Sequence, residues 1–275
     1  MRDQQLPFGT FSPNTQQAKA IALARRFDPG PLSKFAASIA KRMIYPTLHG
    51  PLDVVTWGIR MRLDPRKNIT EKRLLLSPSR FELEERLALQ AFLKVGDVFV
   101  DVGANVGAYT LWAANLIGPD GRVVALEPQP AVLARLRTNI ALNPDFNVQV
   151  FPCGAGPRDG HILLSVGSSN EGGASMATTH GGSESVKVSV RPLFDIVEEA
   201  ELTRIDAMKV DIEGFEDKAL LPFFESAAPK MWPRMLILER SEKDWSEDLL
   251  EALARAGYIS QFATKRNYVL NFTGA

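Results

Sequence analysis

Five short, mostly apolar runs constrain the fold of this chain more than any other feature: Val98–Val102, Arg122–Leu126, Val148–Phe151, Ala207–Val210 and Met235–Leu238. They lack the apolar/polar alternation of a sheet with one wet face. They read instead as strands covered on both faces, the situation of a parallel sheet sandwiched between helices. Helical periodicity fills most of the intervals, over Tyr109–Leu116, Ala131–Leu142 and Phe215–Phe224. Strand and helix therefore alternate, which predicts an α/β architecture with a mostly parallel central sheet and helices on both faces. A last helix is expected from Ser246 as N-cap, through a Leu249, Leu250, Leu253 stripe, to Gly257 just past its end. Tyr258–Phe262 and Tyr268–Phe272, around Lys265-Arg266-Asn267, read as a closing antiparallel hairpin.

Upstream the signals are weaker. Residues 1–30 are rich in Gln, Pro and Asn and read as a poorly ordered arm. Leu32–Ile44 reads as a helix with Leu32, Phe35, Ala36, Ile39, Ala40 and Met43 on one face and Lys34, Lys41 and Arg42 elsewhere. Such a piece either touches anionic lipid or packs on the main domain, and packing is the reading adopted. Val55–Leu63 alternates as one half-buried strand, and Phe81–Leu93 as a helix ending before Gly96. Gly167–Ser185 is long, Gly/Ser/Thr-rich and nearly free of large apolar residues, so a functional loop is expected there. The predicted division is an N-terminal extension, 1–80, and a main domain, 81–275.

Charge narrows the function. Lys+Arg and Asp+Glu both number 32 among 275 residues. A chain so balanced is not expected to be a nucleic-acid binder. Residues 1–50 nevertheless carry seven basic and two acidic residues, so the remainder is net acidic. The single cysteine, Cys153, excludes an internal disulfide framework. No stretch approaches the ~18 apolar residues of a spanning helix, and no signal-like run opens the chain, so a cytoplasmic protein is expected.

The chemistry concentrates where the strands end. Asp101-Val-Gly103-Ala104-Asn105-Val-Gly107-Ala-Tyr-Thr110 is a strand end, a glycine turn and a helix start. In open α/β sheets ligands bind at that edge. The glycines allow close approach of backbone, and the helix start offers free amides. The pattern is not Gly-x-Gly-x-x-Gly, because Asn105 stands at the second glycine. Asp101 would repel a pyrophosphate and suits a ligand bearing an ammonium, such as S-adenosyl-L-methionine. Glu127, 26 residues after Asp101, ends the next strand before Pro128 and would accept both hydroxyls of a ribose. After the third strand, Cys153-Gly154-Ala155 leaves room for a flat adenine, although a lone cysteine is more often a small core residue. The fourth strand ends in Lys209-Val-Asp211-Ile-Glu213-Gly-Phe-Glu216. Asp211 and Glu213 are candidates to position or deprotonate an acceptor hydroxyl, with Lys209 available to pair with a carboxylate. Glu239 adds a third acid. The three have the oxygen donors for a hard cation, but acids at strand ends are common in this fold and no metal is assigned. His180 is a reserve base in the Gly-rich segment.

Asp101–Thr110, Leu126-Glu127-Pro128, Asn170-Glu-Gly-Gly-Ala-Ser175 and Lys209–Glu216, in that order, closely resemble the FkbM family of S-adenosylmethionine-dependent methyltransferases. The similarity runs from about Phe81 to Glu239. It implies a Rossmann-like class I methyltransferase fold and O-methylation of a sugar, glycan or polyketide-like acceptor. Ser79-Arg-Phe-Glu82-Leu-Glu is similar to the acidic stretch preceding the family core, which implies Glu82 near the methionine end of the cofactor. The expected cofactor set is Glu82, Asp101, Gly103, Ala104, Asn105, Gly107, Thr110, Glu127, Pro128 and Gly154. Two other readings compete, a nicotinamide-dependent oxidoreductase and a non-catalytic cofactor-binding scaffold. The glycine spacing and Asp101 weigh against the first; turnover would decide the second.

Overall fold

The computed structural model describes residues 6–167, 170–175 and 184–274. In place of an arm over 1–30, of which 1–5 lie outside the described residues, the chain folds into helix α1, Thr15–Arg26. Asn14 starts it, accepting the Gln17 N–H while Gln17 returns the bond to the Asn14 N–H, a capping box in which Gln replaces the usual Glu. The helix was hard to see because Ala20 and Ala24, not large apolar residues, form much of its buried stripe. Helix α2, Ser33–Ile44, packs against it through Ser33, Ala36, Ala40 and Ile44. The stripe is therefore turned from the expected one, and Leu32 and Phe35 point outward.

Residues 52–63 form a hairpin and not one strand: β1, Leu52–Thr56, and β2, Ile59–Leu63, pair antiparallel around Trp57-Gly58. Both turn residues have positive φ, which is what a tight two-residue hairpin requires. Arg62 reaches Asp53 across the hairpin by two bonds, 2.7 and 3.0 Å, both side chains buried. Helix α3, Ile69–Leu76, capped by Asn68, was not anticipated. Helix α4, Leu83–Phe92, completes the upstream part.

The rest alternates as expected: β3, Val98–Val102; α5, Ala108–Ile117; β4, Arg122–Leu126; α6, Pro130–Ala141; β5, Val148–Phe151. Then come β6, Gly154–Ala155; β7, Gly160–Gly167; β8, Asn170–Ser175; and β9, Glu184–Arg191. Of the segment read as a long loop, the described residues are strand, β8 pairing antiparallel with β7 in a ladder that needs no large side chains, and residues 168–169 and 176–183 lie outside the described residues. Helix α7, Leu193–Glu199, leads to β10, Ala207–Val210; α8, Glu216–Ser226; β11, Met235–Glu239; α9, Leu249–Arg255; β12, Tyr258–Ala263; and β13, Asn267–Phe272. Asp248 caps α9, not Ser246, whose N–H and hydroxyl both donate to Asp217.

The central sheet has the order β12-β13-β11-β10-β3-β4-β5, parallel except for the closing hairpin. Its strands alternate between two cores. Phe99, Val123, Ala207, Met235 and Ile237 face a cluster that includes residues of α1 to α5 and the β1–β2 hairpin. Val100, Val124, Met208, Leu236 and Leu238 face α7, α8 and α9. The N-terminal residues therefore cover one face of the sheet. A second sheet, β6-β9-β7-β8, lies beside it.

Candidate active site

Strand register assembles the acids. Val102 lies opposite Leu126 on β4 and Val210 on β10, and Val210 opposite Leu238 on β11. The residues just beyond, Glu127, Asp211 and Glu239, must emerge along one edge, with Asp101 beside Lys209. This edge opens into a cavity of about 290 Å³. Asp101, Gly103, Ala104, Asn105, Glu127, Pro128, Gly154 and Glu82 line it, as do Asp211, Glu213 and Glu239. Gly107 and Thr110 stand behind its wall. The Thr110 hydroxyl donates to Asp101 Oδ2 at 2.5 Å. His180 lies outside the described residues. Cys153 is buried in the α7–α9 core, where burial pushes its thiol up to about 11, and it does not line the cavity.

The glycines of the first turn serve the protein before any ligand. A Cβ on Gly103 would stand 2.0 Å from the Asp211 carbonyl oxygen, and one on Gly107 would stand 2.8 Å from Leu136 Cδ1. Gly103 has φ +87°, so the turn needs glycine on both counts. The β3 turn and the β10 turn consequently touch.

At the β4 end Glu127 is buried and satisfied by backbone. One oxygen accepts the Asn105 N–H and the other the Gln129 N–H, both at 2.9 Å. Burial pushes its carboxyl up to about 7, against the pull of those amides. Each oxygen retains further acceptor capacity, and Glu127 lines the cavity. Asn105, in a left-handed conformation, accepts from Asn68 at 2.8 Å, which ties the turn to the start of α3.

At the β10 end the arrangement differs. Lys209, nearly fully buried, donates to Asp211 at 2.5 Å and lies 4.9 Å from the Tyr109 ring centroid. Burial alone would lower its pKa; Asp211, Glu82 and Asp101 outweigh that and raise it. Burial would conversely raise Asp211, and the ammonium holds it below the ordinary carboxylate value. Glu239 is pushed up to about 9 by burial and by the charges of Asp211 and Glu213. Glu213, at φ +55°, is raised by burial and by Asp211, and its N–H donates to Glu239 at 3.2 Å. The ligand atoms of Asp211, Glu213 and Glu239 fall within 4.8 Å of one another, close enough for a cation, but a neighbouring ammonium already compensates the group.

Among the described residues, two buried carboxylate oxygens of cavity-lining residues have no hydrogen-bond partner within reach, Asp101 Oδ1 and Glu82 Oε2, the Tyr109 hydroxyl lying close to Glu82. Both groups have raised pKa values, through burial opposed by Lys209. Unsatisfied buried acceptors are costly and call for a donor.

Three contributors escaped the sequence reading. Ile69, Thr70 and Arg73 bring α3 to the cavity wall, and Ile162 and Leu164 bring β7. Arg73 lies 5.0 Å from the Phe81 ring centroid. Glu216 locks the Asp211–Gly214 turn, accepting the Ile212 and Gly214 N–H groups and, at 2.7 Å, the Trp245 indole N–H. An acid two residues past a glycine in a strand-to-helix turn was the available signal for Glu216; no periodicity announces α3.

The family model described as a methyltransferase FkbM domain matches residues 101–260. Methyltransferase 1 of Beauveria bassiana is 28% identical over 136 residues, covering 42% of this chain and 54% of that protein. Methyltransferase sdnD of Sordaria araneosa is 26% identical over 186 residues, covering 56% and 70%. The 31-O-demethyl-FK506 methyltransferase FkbM of Streptomyces tacrolimicus is 26% identical over 192 residues, covering 59% and 72%. The match to the first of these relatives thus spans about half that protein's length. Among the described residues no helix is long and apolar enough to cross a membrane.

Proposed function

The chain belongs to the FkbM methyltransferase family, and on that premise we propose that it methylates a hydroxyl oxygen of a sugar, glycan or polyketide-like acceptor, with S-adenosyl-L-methionine as methyl donor. The observation that carries the cofactor reading is the pair of buried oxygens without a partner among the described residues, Asp101 Oδ1 and Glu82 Oε2, on two residues that line one cavity. An ammonium supplies the donors they lack. Glu127 takes the ribose through its remaining lone pairs, and Pro128, Gly154 and Ala155 make the flat wall for the adenine. The cofactor brings an electrophilic methyl group on a sulfonium.

The protein's part in the transfer is to hold the acceptor in line and remove its proton. Asp211, kept ionised by Lys209, accepts a hydrogen bond from the acceptor hydroxyl and fixes its direction. Glu213, whose pKa burial and the Asp211 charge raise, stands beside it as the candidate to take the proton. Glu239 retains its own proton at neutral pH and does not compete. An O-linked acceptor, as distinct from a base, is supported by the three carboxylates of Asp211, Glu213 and Glu239 gathered at the β10–β11 edge of the cavity.

The test is methyl transfer from labelled S-adenosyl-L-methionine into fractionated glycans and polyketide-like metabolites, followed by mass spectrometry of the product. A labelled methyl ether is expected. Label on nitrogen or carbon, or binding without any turnover, would overturn the assignment.

A further inference from the structure

The α1–α2 hairpin is built the wrong way round for a purely packed element. Ala20, Ala24, Ala36 and Ala40 fill the inside, all 4% exposed or less. The large side chains lie outside: Leu23 and Phe27 at 37%, Leu32 at 54% and Phe35 at 66% exposed. These four belong to the end of α1, the connecting turn and the first helical turn of α2, so they crowd one tip of the molecule. Isolated exposed apolar residues are ordinary, but a cluster of them marks a contact surface.

The charges around the tip are of one sign. Arg26 and Lys34 are exposed at the tip itself, and Lys19, Lys41 and Arg42 are exposed farther along the two helices. The sole acid between residues 15 and 44 is Asp28, and it is turned inward. Its Oδ1 accepts from the Ser33 hydroxyl at 3.1 Å and its Oδ2 from the Ser79 N–H at 2.5 Å. Arg25, the remaining cation, is also spent internally, on the carbonyls of Leu75, Val55 and Leu74. The exposed side chains of the hairpin are thus the four large apolar ones, the cations, and small or uncharged residues such as Ala22, Pro29, Pro31 and Ser38, with no exposed acid among them.

We propose that this tip docks on an anionic lipid surface, Leu32 and Phe35 entering the headgroup boundary while Lys34, Arg26 and the other exposed cations meet the phosphates. Apolar side chains ringed by lysine and arginine suit such an interface. Protein–protein interfaces are depleted in lysine, and a second copy of the tip would bring like charges together. The inference does not depend on the reaction proposed above. It has a consequence for the site, because α3 packs on both helices of the hairpin and lines the cavity, which places a docked membrane one element away.

Cosedimentation of the full chain with vesicles tests it, using phosphatidylcholine alone and phosphatidylcholine with phosphatidylglycerol. Binding is expected only with the anionic lipid and is expected to fall as salt rises. Leu32→Ser/Phe35→Ser should weaken it by about tenfold or more, since two large apolar groups lose their insertion. Both positions are exposed, so an unchanged melting temperature confirms that the variant is folded. Lack of binding to anionic vesicles at low salt would overturn the proposal, as would a double variant that binds like the parent. A concentration-dependent dimer in sedimentation velocity, abolished by the same substitutions, would also overturn it and make the tip a self-contact.

Discussion

Glu127 and Glu239 occupy equivalent places, each one or two residues past the point where neighbouring parallel strands run in register, yet their surroundings make them different groups. Glu127 is surrounded by backbone: the Asn105 and Gln129 amides take one lone pair of each oxygen. Glu239 is surrounded by other acids, and its pKa is pushed up to about 9 where Glu127 stands near 7. Burial and the two amides dominate the first, with the charges of Asp101 and Arg135 acting in opposite directions behind them, which suits a fixed acceptor for a neutral ligand group. The second belongs to a set with Asp211 and Glu213 in which protonation of one member alters the others, which suits proton handling. Position in the fold brought both to the edge; the hydrogen-bonding neighbours decided what each can do there.

The seam between the two regions is Gly103, whose turn lies against the Asp211 carbonyl. Gly103→Ala should have the largest effect of any single change at the site, because the clash is with backbone and φ is positive. A loss of about 4 kcal/mol or more is expected, in the class of exceptional single substitutions, read by denaturant unfolding. A melting transition close to the parent's would show that the two turns move independently. Next in size is Asp211→Asn. Turnover should fall by about a hundredfold, because the acceptor hydroxyl loses the carboxylate that aims it, while titrated affinity for S-adenosyl-L-methionine should fall far less. Parallel losses in both would erase the division between a binding edge and a reacting edge.

The same contrast explains what was legible in the sequence. The strands of the central sheet were, because burial on both faces leaves an apolar run that no other element needs. Asp101, Glu127 and Asp211 were also legible, since a strand end followed by glycine or proline is a local event. The α1 helix was not, because Ile21 is the one large apolar residue in a buried stripe otherwise of alanine and glutamine, and hydrophobic patterning has little to register there. Nor was α3, whose share in the cavity through Ile69, Thr70 and Arg73 depends on a long-range approach to the β3 turn sealed by Asn68 and Asn105. Gly103 was read as a place where backbone approaches a ligand; the Asp211 carbonyl that also lies against it was not foreseen. Composition shows that backbone comes near; only the three-dimensional path shows whose.

At the β4 edge the expected effects are smaller and concern binding. Glu127→Ala should weaken S-adenosyl-L-methionine by about 1–3 kcal/mol, the value of a charged hydrogen-bond acceptor. Calorimetric titration identical to the parent's would remove Glu127 from the ribose site and leave it as the anchor of two amides.

The smallest effect is also the most specific. Glu127 titrates near 7 in the folded protein, above its ordinary 4.5, because burial disfavours the charge. Accepting two hydroxyls requires the carboxylate, so affinity should rise as pH increases through about 7, by at most about tenfold between pH 6 and pH 8. Stability should run the other way. A carboxyl whose pKa is raised by folding favours the folded state most below its unfolded value, and that contribution is lost as pH climbs through about 7. Glu127→Gln, which cannot titrate, should flatten both slopes at once. Opposite slopes in the parent, flat lines in the variant and an unaltered pH dependence at Asp211 would establish that the two ends of the cleft titrate as separate systems. If removing the Glu127 charge shifts the profile of turnover at saturating cofactor, the cleft is one coupled network, and the contrast between its ends is one of degree.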